Sequence, residues 1–351
     1  MPLTLVSGLT VGDSREPPGG GCLGEPFAQL PLWQSALKTF ADRLDELDRR
    51  VGTGEDLCRM WARGAEGMRI GVGPHRLWPG RESELDGVLE TARTAERLGF
   101  DHLMAGSHVL AGDLGVTPDP LVLLSAIAGA TDRIRVVTSV LILPLYNPVV
   151  LAHQAATLDR LSRGRFTLGV GTGWDTAEFA AVGAPFGGRG KRMDEQLAVM
   201  RELWEDRADG MRLGVRPRTA GGPEVWIGGQ SDAALRRVLR YGDGWHGSAV
   251  DAAGLADVRE RLAVLGKDAG RDPDTLTLTS GALLLPPGFS PAVDLPWRPL
   301  GGERATADSV RHELALLEEA GLSSCSLWLP VATEALPDAL AWVAEEVLAG
   351  T

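Results

Sequence analysis

Eight short, largely apolar runs, each followed by an amphipathic helical pattern, succeed one another from residue 68 onward. The runs that predict strands are residues 69–73, 102–105, 134–140, 166–171, 224–228, 244–247, 275–283 and 324–329. The helical patterns are residues 82–98, 120–130, 148–161, 191–204, 232–241, 256–269, 309–320 and 336–348. Short apolar strands are typical of a buried parallel sheet, and eight strand–helix units are the number that closes a barrel. The sequence therefore predicts an α/β fold of the (β/α)8 TIM barrel type.

A doubly wound open sheet is the structural alternative, and it would require the strand order to reverse midway along the chain. No break separates the successive units, which favours the closed barrel because it needs fewer assumptions. Enzymes with this barrel carry their active sites at the carboxyl ends of the strands. Candidate site residues are therefore expected in the segments that follow the strands.

Residues 1–67 contribute no strand to the barrel. They begin with a Pro- and Gly-rich stretch and continue with helical patterns at about residues 33–50 and up to Trp61. We interpret them as an N-terminal extension, partly helical or disordered, that precedes a barrel domain of residues 68–351. Because Met68 opens the first predicted strand directly, the alternative that this extension reflects the choice of start site stays open.

Charge and composition exclude several classes of protein. The net charge of −12, without a long run of Lys or Arg, argues against binding to nucleic acid or to anionic membranes. The longest apolar runs, such as residues 136–145, are interrupted well short of the length that spans a bilayer, so no membrane segment is predicted. Cys22, Cys58 and Cys325 lack the spacing of a zinc site or a disulfide framework, and no secretory signal opens the chain. These observations predict a cytoplasmic protein.

A glycine-rich loop at the end of the fourth predicted strand is the first candidate for a binding site. Gly169, Gly171 and Gly173 alternate and lead into Trp174, which leaves one side of the strand end bare for a flat cofactor. The loop does not fit a dinucleotide fingerprint, because Trp174 occupies the place of its third glycine and no acidic residue follows at the usual distance. The alternative, that these glycines only let neighbouring strands pack, stays open.

A second candidate is the turn Gly228-Gly229-Gln230-Ser231, which leaves the fifth predicted strand and enters a helix. Free backbone N–H groups at a helix N-terminus bind phosphate without needing lysine. The alternative is an ordinary strand–helix turn in which Ser231 caps the helix.

Several motifs, in this order, resemble those of the luciferase-like monooxygenase superfamily, and within it the branch that uses coenzyme F420. They are Thr-Ser-Val at residues 138–140, Tyr-Asn-Pro at 146–148, Thr-Leu-Asp at 157–159 with Gly-Arg at 164–165, the loop 169–174, Trp-Ile-Gly-Gly-Gln-Ser at 226–231 and Tyr-Gly-Asp-Gly-Trp at 241–245. The resemblance covers nearly all of residues 68–351. It implies an oxidoreductase that transfers a hydride between the deazaflavin F420 and a small organic substrate.

The resemblance also implies site residues. In the family the third strand ends in a non-prolyl cis peptide behind the cofactor ring, and the matching bond here joins Ser139 and Val140. The residues predicted to bind the cofactor are Ser139, Val140, Gly171, Thr172, Gly173, Gly228, Gly229, Gln230 and Ser231.

His108 falls where F420-dependent relatives carry a histidine beside the reactive carbon of the ring. Histidine exchanges a proton near neutral pH, so His108 is the predicted catalytic residue, with a merely ring-lining histidine as the alternative. Ser107 replaces the aspartate that precedes this histidine in the family, which weakens the case for proton transfer. A non-catalytic flavin-binding protein is therefore kept as a further hypothesis.

Two residues are predicted to bind the substrate. Trp174 stands where the related glucose-6-phosphate dehydrogenases carry an acidic catalytic residue, so a sugar phosphate is disfavoured and an apolar or planar substrate is expected. His75 follows the first predicted strand, although an exposed loop histidine is the commoner case.

The same cradle would also suit FMN, supplied in reduced form by a partner reductase, in a two-component monooxygenase. The expected partners are thus a small-molecule substrate, a flavin or F420 reductase and, since relatives commonly pair, a second copy of the chain. No metal site is predicted, because His153, His246 and His312 lack partners at metal-ligand spacing.

Overall fold

Parallel strands form one sheet that closes into a barrel in the computed structural model, which describes residues 67–111 and 115–350. The strands are β1 Arg69–Val72, β2 His102–Ala105, β3 Arg135–Thr138, β4 Leu141–Ile142, β5 Phe166–Gly171, β6 Glu224–Gly228, β7 Gly244–Ser248, β8 Thr277–Leu283 and β9 Ser324–Trp328. The prediction for residues 1–66 lies outside the described residues.

Strand pairing settles the choice between the two folds. β1 pairs with β2 and with β9, β2 pairs with β3, and each strand from β5 to β8 pairs with the next, while β3 and β4 both pair with β5. The strand order never reverses, so the predicted TIM barrel is confirmed and the open sheet is wrong. The short β4 continues the line of β3 along β5, with Leu141 opposite Val170. The third strand, predicted at residues 134–140, therefore ends at Thr138 in the structure, and the line of the strand is resumed by Leu141–Ile142, beyond the predicted range.

Helices cover the outside of the barrel. They are α1 Val88–Arg97, α2 Pro120–Ala130, α3 Pro148–Leu161, α4 Thr176–Ala181, α5 Arg189–Trp204, α6 Asp232–Tyr241, α7 Ala252–Ala269, α8 Ala307–Glu319 and α9 Leu336–Glu346. Residues 82–85, predicted as part of the first helix, form a separate 3-10 turn, and the short α4 was not predicted. No helix in the described part of the chain is both long and apolar enough to cross a membrane.

Some residues of the motifs hold the barrel together. The Arg165 guanidinium donates to the carbonyls of Ala128 at 2.8 Å and Ile134 at 2.6 Å, which ties the end of α2 to the start of β3. The buried Asp159 carboxylate accepts from the backbone N–H of Thr219 at 2.8 Å and fastens the long connection that leads to β6. These side chains therefore explain part of the motif pattern through packing.

Candidate active site

A cavity of about 810 Å³ lies at the carboxyl ends of the barrel strands. This volume falls within the range of small-molecule and cofactor sites. Every residue predicted for the site lines it except Ser231. Further lining residues that were not predicted are Leu77, Trp78, Pro79, Gly106, Ser107, Val116, Thr117, Ile142, His246, Gly247, Ser248, Gly281, Pro296, Trp297 and Trp328.

The alternating glycines make room for the neighbouring strand segment. A Cβ added at any of the three would come within 3 Å of that segment. The pairs are Gly169 with the Thr138 carbonyl oxygen, Gly171 with Val140 Cγ2 at 2.8 Å, and Gly173 with Ile142 Cγ2 at 2.5 Å. Both interpretations of the loop therefore hold in part, because Gly171 and Gly173 also line the cavity while they let residues 138–142 pack beside β5.

The peptide bond between Ser139 and Val140 is cis, which confirms the prediction for this bond. The Ser139 Oγ lies 2.9 Å from His246 Nε2, and His246 Nδ1 lies 2.7 Å from Thr279 Oγ1. Since the Thr279 hydroxyl donates to the Trp245 carbonyl at 2.9 Å, it accepts from His246 Nδ1–H. His246 Nε2 is then an acceptor, so the Ser139 hydroxyl donates to it and turns its lone pairs to the cavity.

Burial lowers the pKa of His246 to about 4, so this imidazole is neutral at pH 7. Its ring stacks on Trp226 with centroids 5.8 Å apart. Sequence reasoning considered His246 only as a metal ligand and missed this role. The signal was its position on a strand that ends at the barrel's active face.

His108 is held by a buried carboxylate that the sequence did not reveal. Its Nδ1 lies 3.3 Å from Oε2 of Glu178, whose side chain is fully buried on α4. The other oxygen, Oε1, accepts from the backbone N–H of Val109 at 2.5 Å. Asp175 caps α4 and is followed three residues later by Glu178, a pattern that marks a helix start and would have predicted this turn.

The residue before His108 is part of a hydroxyl pair. Ser107 is buried, and its side chain is hydrogen-bonded to the Tyr146 hydroxyl. Burial raises the pKa of Tyr146, so the phenol stays neutral at pH 7. Where the family has an aspartate, this chain thus has Ser107, which forms a neutral pair with Tyr146. The carboxylate beside His108 comes instead from Glu178 on α4.

Aromatic side chains form another part of the cavity wall. Trp78, Trp174, Trp297 and Trp328 line it, and the Trp174 ring meets the His108 ring edge-on at 5.8 Å. His75 is only 7% exposed, so it is not an exposed loop histidine. Its Nδ1 donates to the Arg76 carbonyl at 2.8 Å, and burial lowers its pKa. No Asp, Glu, Lys or Arg belongs to the described lining of the cavity.

The turn at residues 228–231 sits at the start of α6. Gly228, Gly229 and Gln230 line the cavity, while the Ser231 hydroxyl accepts from Ala234 N at 3.3 Å and caps the helix. The role of Ser231 as a cofactor ligand stays a prediction. The first N–H groups of a helix have no intrahelical partner, so this end can bind an anion.

Arg261 supports this turn from behind. It donates to the Gln230 carbonyl at 2.8 Å and pairs with Asp232 at 2.6 Å. The hydrogen bond from Arg261 to the Asp232 carboxylate holds the pKa of Asp232 below its usual value. Among residues 67–111 and 115–350, no cluster of His, Cys, Asp and Glu has the arrangement of a metal site.

Known proteins resemble this chain in sequence. The sequence model of the luciferase-like monooxygenases matches residues 69–285. An uncharacterised protein of Mycobacterium tuberculosis is 46% identical over 88 residues, which are 25% of this chain and 31% of that protein. The FMNH2-dependent dimethylsulfone monooxygenase of Pseudomonas putida is 28% identical over 202 residues, which are 52% of this chain and 55% of that enzyme. The matched residues thus cover 31% to 55% of the length of these relatives.

Solved structures share the barrel. An F420-dependent secondary alcohol dehydrogenase, in complex with an F420–acetone adduct, superposes with a TM-score of 0.66 and 20% identity over 80% of this chain and 99% of that one. At this level of identity, the similarity shows the fold.

Proposed function

Because the chain belongs to the luciferase-like monooxygenase family, we propose that it is an oxidoreductase that uses coenzyme F420 to transfer a hydride to or from a small, neutral organic substrate. One observation carries most weight. The same cavity joins a glycine-rich wall, a helix N-terminus and an imidazole held by a buried carboxylate. These are the parts needed to bind a flat phosphorylated cofactor and to move a proton beside it.

The cavity wall fits a planar ring. Gly106 and Gly281 line the cavity, and a Cβ on either would meet no atom nearer than 3.9 Å and 3.7 Å, respectively. A side chain at either position would therefore project into the open space of the cavity. Glycine leaves that space free for a ligand. When bound, F420 supplies a carbon that accepts or donates a hydride.

The lining residues have separate proposed roles. Ser139 and Val140 support the ring, Gly171, Thr172 and Gly173 form the adjacent edge, and the backbone of Gly228, Gly229 and Gln230 binds the phosphate. His108 accepts or returns the proton that accompanies hydride transfer, and this makes it the proposed catalytic residue. Because F420 is anionic and no charged side chain lines the cavity, backbone N–H groups carry the phosphate contact.

The substrate side of the cavity is neutral and aromatic. Trp174, beside His108, offers an indole face, and His75 stays uncharged because burial lowers its pKa. Transferring an ion into such a site would cost free energy without a compensating partner. We therefore propose an uncharged, apolar or planar substrate.

A second candidate is an FMN-dependent two-component monooxygenase, which the similarity to an FMNH2-dependent monooxygenase favours. In that case a separate reductase delivers the reduced flavin and the enzyme consumes oxygen.

Fluorescence titration of the full chain with F420, and separately with FMN, tests the proposal. We expect tight binding of F420, and a Gly106→Val variant, which places methyl groups in the cavity, raises the dissociation constant at least about tenfold. The matched control is Gly129→Val, on the exposed face of α2, where an added Cβ meets nothing within 4 Å. Binding of FMN alone supports the second candidate, and binding of neither overturns both. A protein that binds F420 but turns over no substrate, and whose behaviour His108→Asn does not change, would be a non-catalytic binder.

A further inference from the structure

We propose that Glu178 is the positioning residue of His108: its carboxylate fixes the tautomer that carries the proton on Nδ1, so that the unprotonated Nε2 faces the cavity as the proton acceptor. This inference deepens the proposed function and rests on it for the role of His108 in the reaction. The tautomer itself can be measured without cofactor or substrate.

The surroundings of Glu178 determine the state of its carboxylate. The side chain is fully buried, and its hydrogen-bond partners among the described residues are the N–H groups of Val109 and Leu110 and the imidazole of His108. No Lys or Arg pairs with it in that part of the chain. Burying a carboxylate is costly unless hydrogen bonds compensate it, and donors to the charged form stabilise that form. Two backbone donors and one imidazole provide this compensation.

The two carboxylate oxygens of Glu178 have different partners, and this determines which nitrogen of His108 carries the proton. Oε1 accepts from the backbone N–H groups of Val109 at 2.5 Å and Leu110 at 3.4 Å, so Oε2 is left for His108 Nδ1 at 3.3 Å. An ionised carboxylate only accepts hydrogen bonds, so Nδ1 must donate. A neutral imidazole has one N–H, and Nε2 then carries the lone pair.

Nε2 is the atom left for a ligand. It has no hydrogen-bond partner in the described part of the protein, and the His108 ring lines the cavity with 22% of its side chain exposed. A proton that the substrate releases as it loses a hydride goes to Nε2, and the carboxylate of Glu178 stabilises the resulting imidazolium. In the opposite direction the same proton returns from Nε2 to the substrate.

One loop holds the imidazole from two sides. Trp174 meets the ring at its edge, and Glu178, four residues later on α4, holds Nδ1. Tyr146 is the other titratable side chain at this place, and burial raises its pKa, so it brings no charge to the pair. The negative charge of Asp119, at the start of α2, also raises the pKa of Tyr146. The Glu178 carboxylate is thus the group that sets the proton position on His108.

A Glu178→Gln variant separates this role from a purely structural one. The amide oxygen must accept from the backbone of Val109 and Leu110, because the amide nitrogen cannot. The NH2 group then faces His108 Nδ1, which has to become an acceptor, and the proton moves to Nε2. The loop stays anchored, but the tautomer inverts.

Nitrogen-15 NMR of the full, cofactor-free chain at about pH 8, above the ordinary pKa of histidine, reads the tautomer directly. His108→Asn identifies the signal by its loss. We expect the Nδ1–H form in the wild-type protein and the Nε2–H form in Glu178→Gln. The control is Glu96→Gln, since Glu96 also accepts from backbone N–H groups, those of residues 132–134, but contacts no histidine. This control should leave the His108 signal unchanged.

An Nε2–H form in the wild-type protein, or an unchanged tautomer in Glu178→Gln, overturns the inference. The wild-type measurement alone decides it if the variant does not fold. The proposed function fails separately: once a substrate is known, a His108→Asn variant with undiminished kcat/KM removes the catalytic role of His108 whatever the tautomer. With that role intact, Glu178→Gln should lower kcat about 100-fold and change KM little.

Discussion

The burial of His246 predicts a measurable link between pH and stability. His246 is fully buried and neutral, and its pKa is about 4, against about 6.5 for an exposed histidine. Between these values the unfolded chain binds the proton and the folded chain does not. The free energy of unfolding therefore falls as the pH drops below 6.5, and the contribution of this residue amounts to roughly 2 kcal/mol at pH 5 and about 3 kcal/mol when the folded form also protonates.

A His246→Gln variant removes the titration while its amide can still donate to Thr279 and accept from Ser139. Urea unfolding followed by tryptophan fluorescence gives the free energy of unfolding at pH 7.5 and at pH 5. We expect the wild-type protein to lose roughly 2 kcal/mol more than the variant over this interval. The control is His153→Gln, because His153 is exposed on α3 and should show no such difference. Parallel losses in the wild-type protein and His246→Gln would refute the assignment of His246 as a buried neutral acceptor.

Two further substitutions test the walls of the cavity. Trp174→Ala should raise KM for a planar aromatic substrate about fivefold to tenfold in steady-state kinetics, because an aromatic contact of roughly 1 kcal/mol is lost. The dissociation constant of the cofactor, measured by titration, should not change. Gly169→Ala should lower the free energy of unfolding by about 1–3 kcal/mol, because its Cβ would collide with the Thr138 carbonyl. Gly129→Ala, on exposed helix surface, should be neutral or slightly stabilising in the same urea titration.

Helix and strand bounds followed from the sequence where local chemistry decides them. α2 and α3 have the predicted bounds, and they begin where predicted because each starts with a capping side chain followed by proline. The Asn147 side chain accepts from the N–H of Val149 at 3.0 Å, and that of Asp119 accepts from Val122 at 2.9 Å. The capping side chain and the N–H group that it binds lie within four residues of each other. Such a local signal can be read from one sequence without knowledge of the fold.

The break in the third strand lies beyond such local signals. Residues 134–140 form one run rich in β-branched side chains, and this pattern does not distinguish a straight strand from one interrupted after Thr138. The resemblance to the family, not the pattern, predicted the cis bond. Glu178 was missed for a related reason, since it meets His108 across 70 positions and its local pattern is that of an ordinary helix start.

The three histidines of the cavity differ in what they can do with a proton. His246 has both ring nitrogens engaged, and burial holds its pKa at about 4. His75 uses Nδ1 on a backbone carbonyl, and burial also lowers its pKa. Of the three, His108 alone combines a carboxylate partner with a nitrogen that no protein group occupies in the described residues. The described lining of the cavity contains no Asp, Glu, Lys or Arg, so we propose that proton transfer falls to this residue and that a proton released in hydride chemistry passes to His108 Nε2.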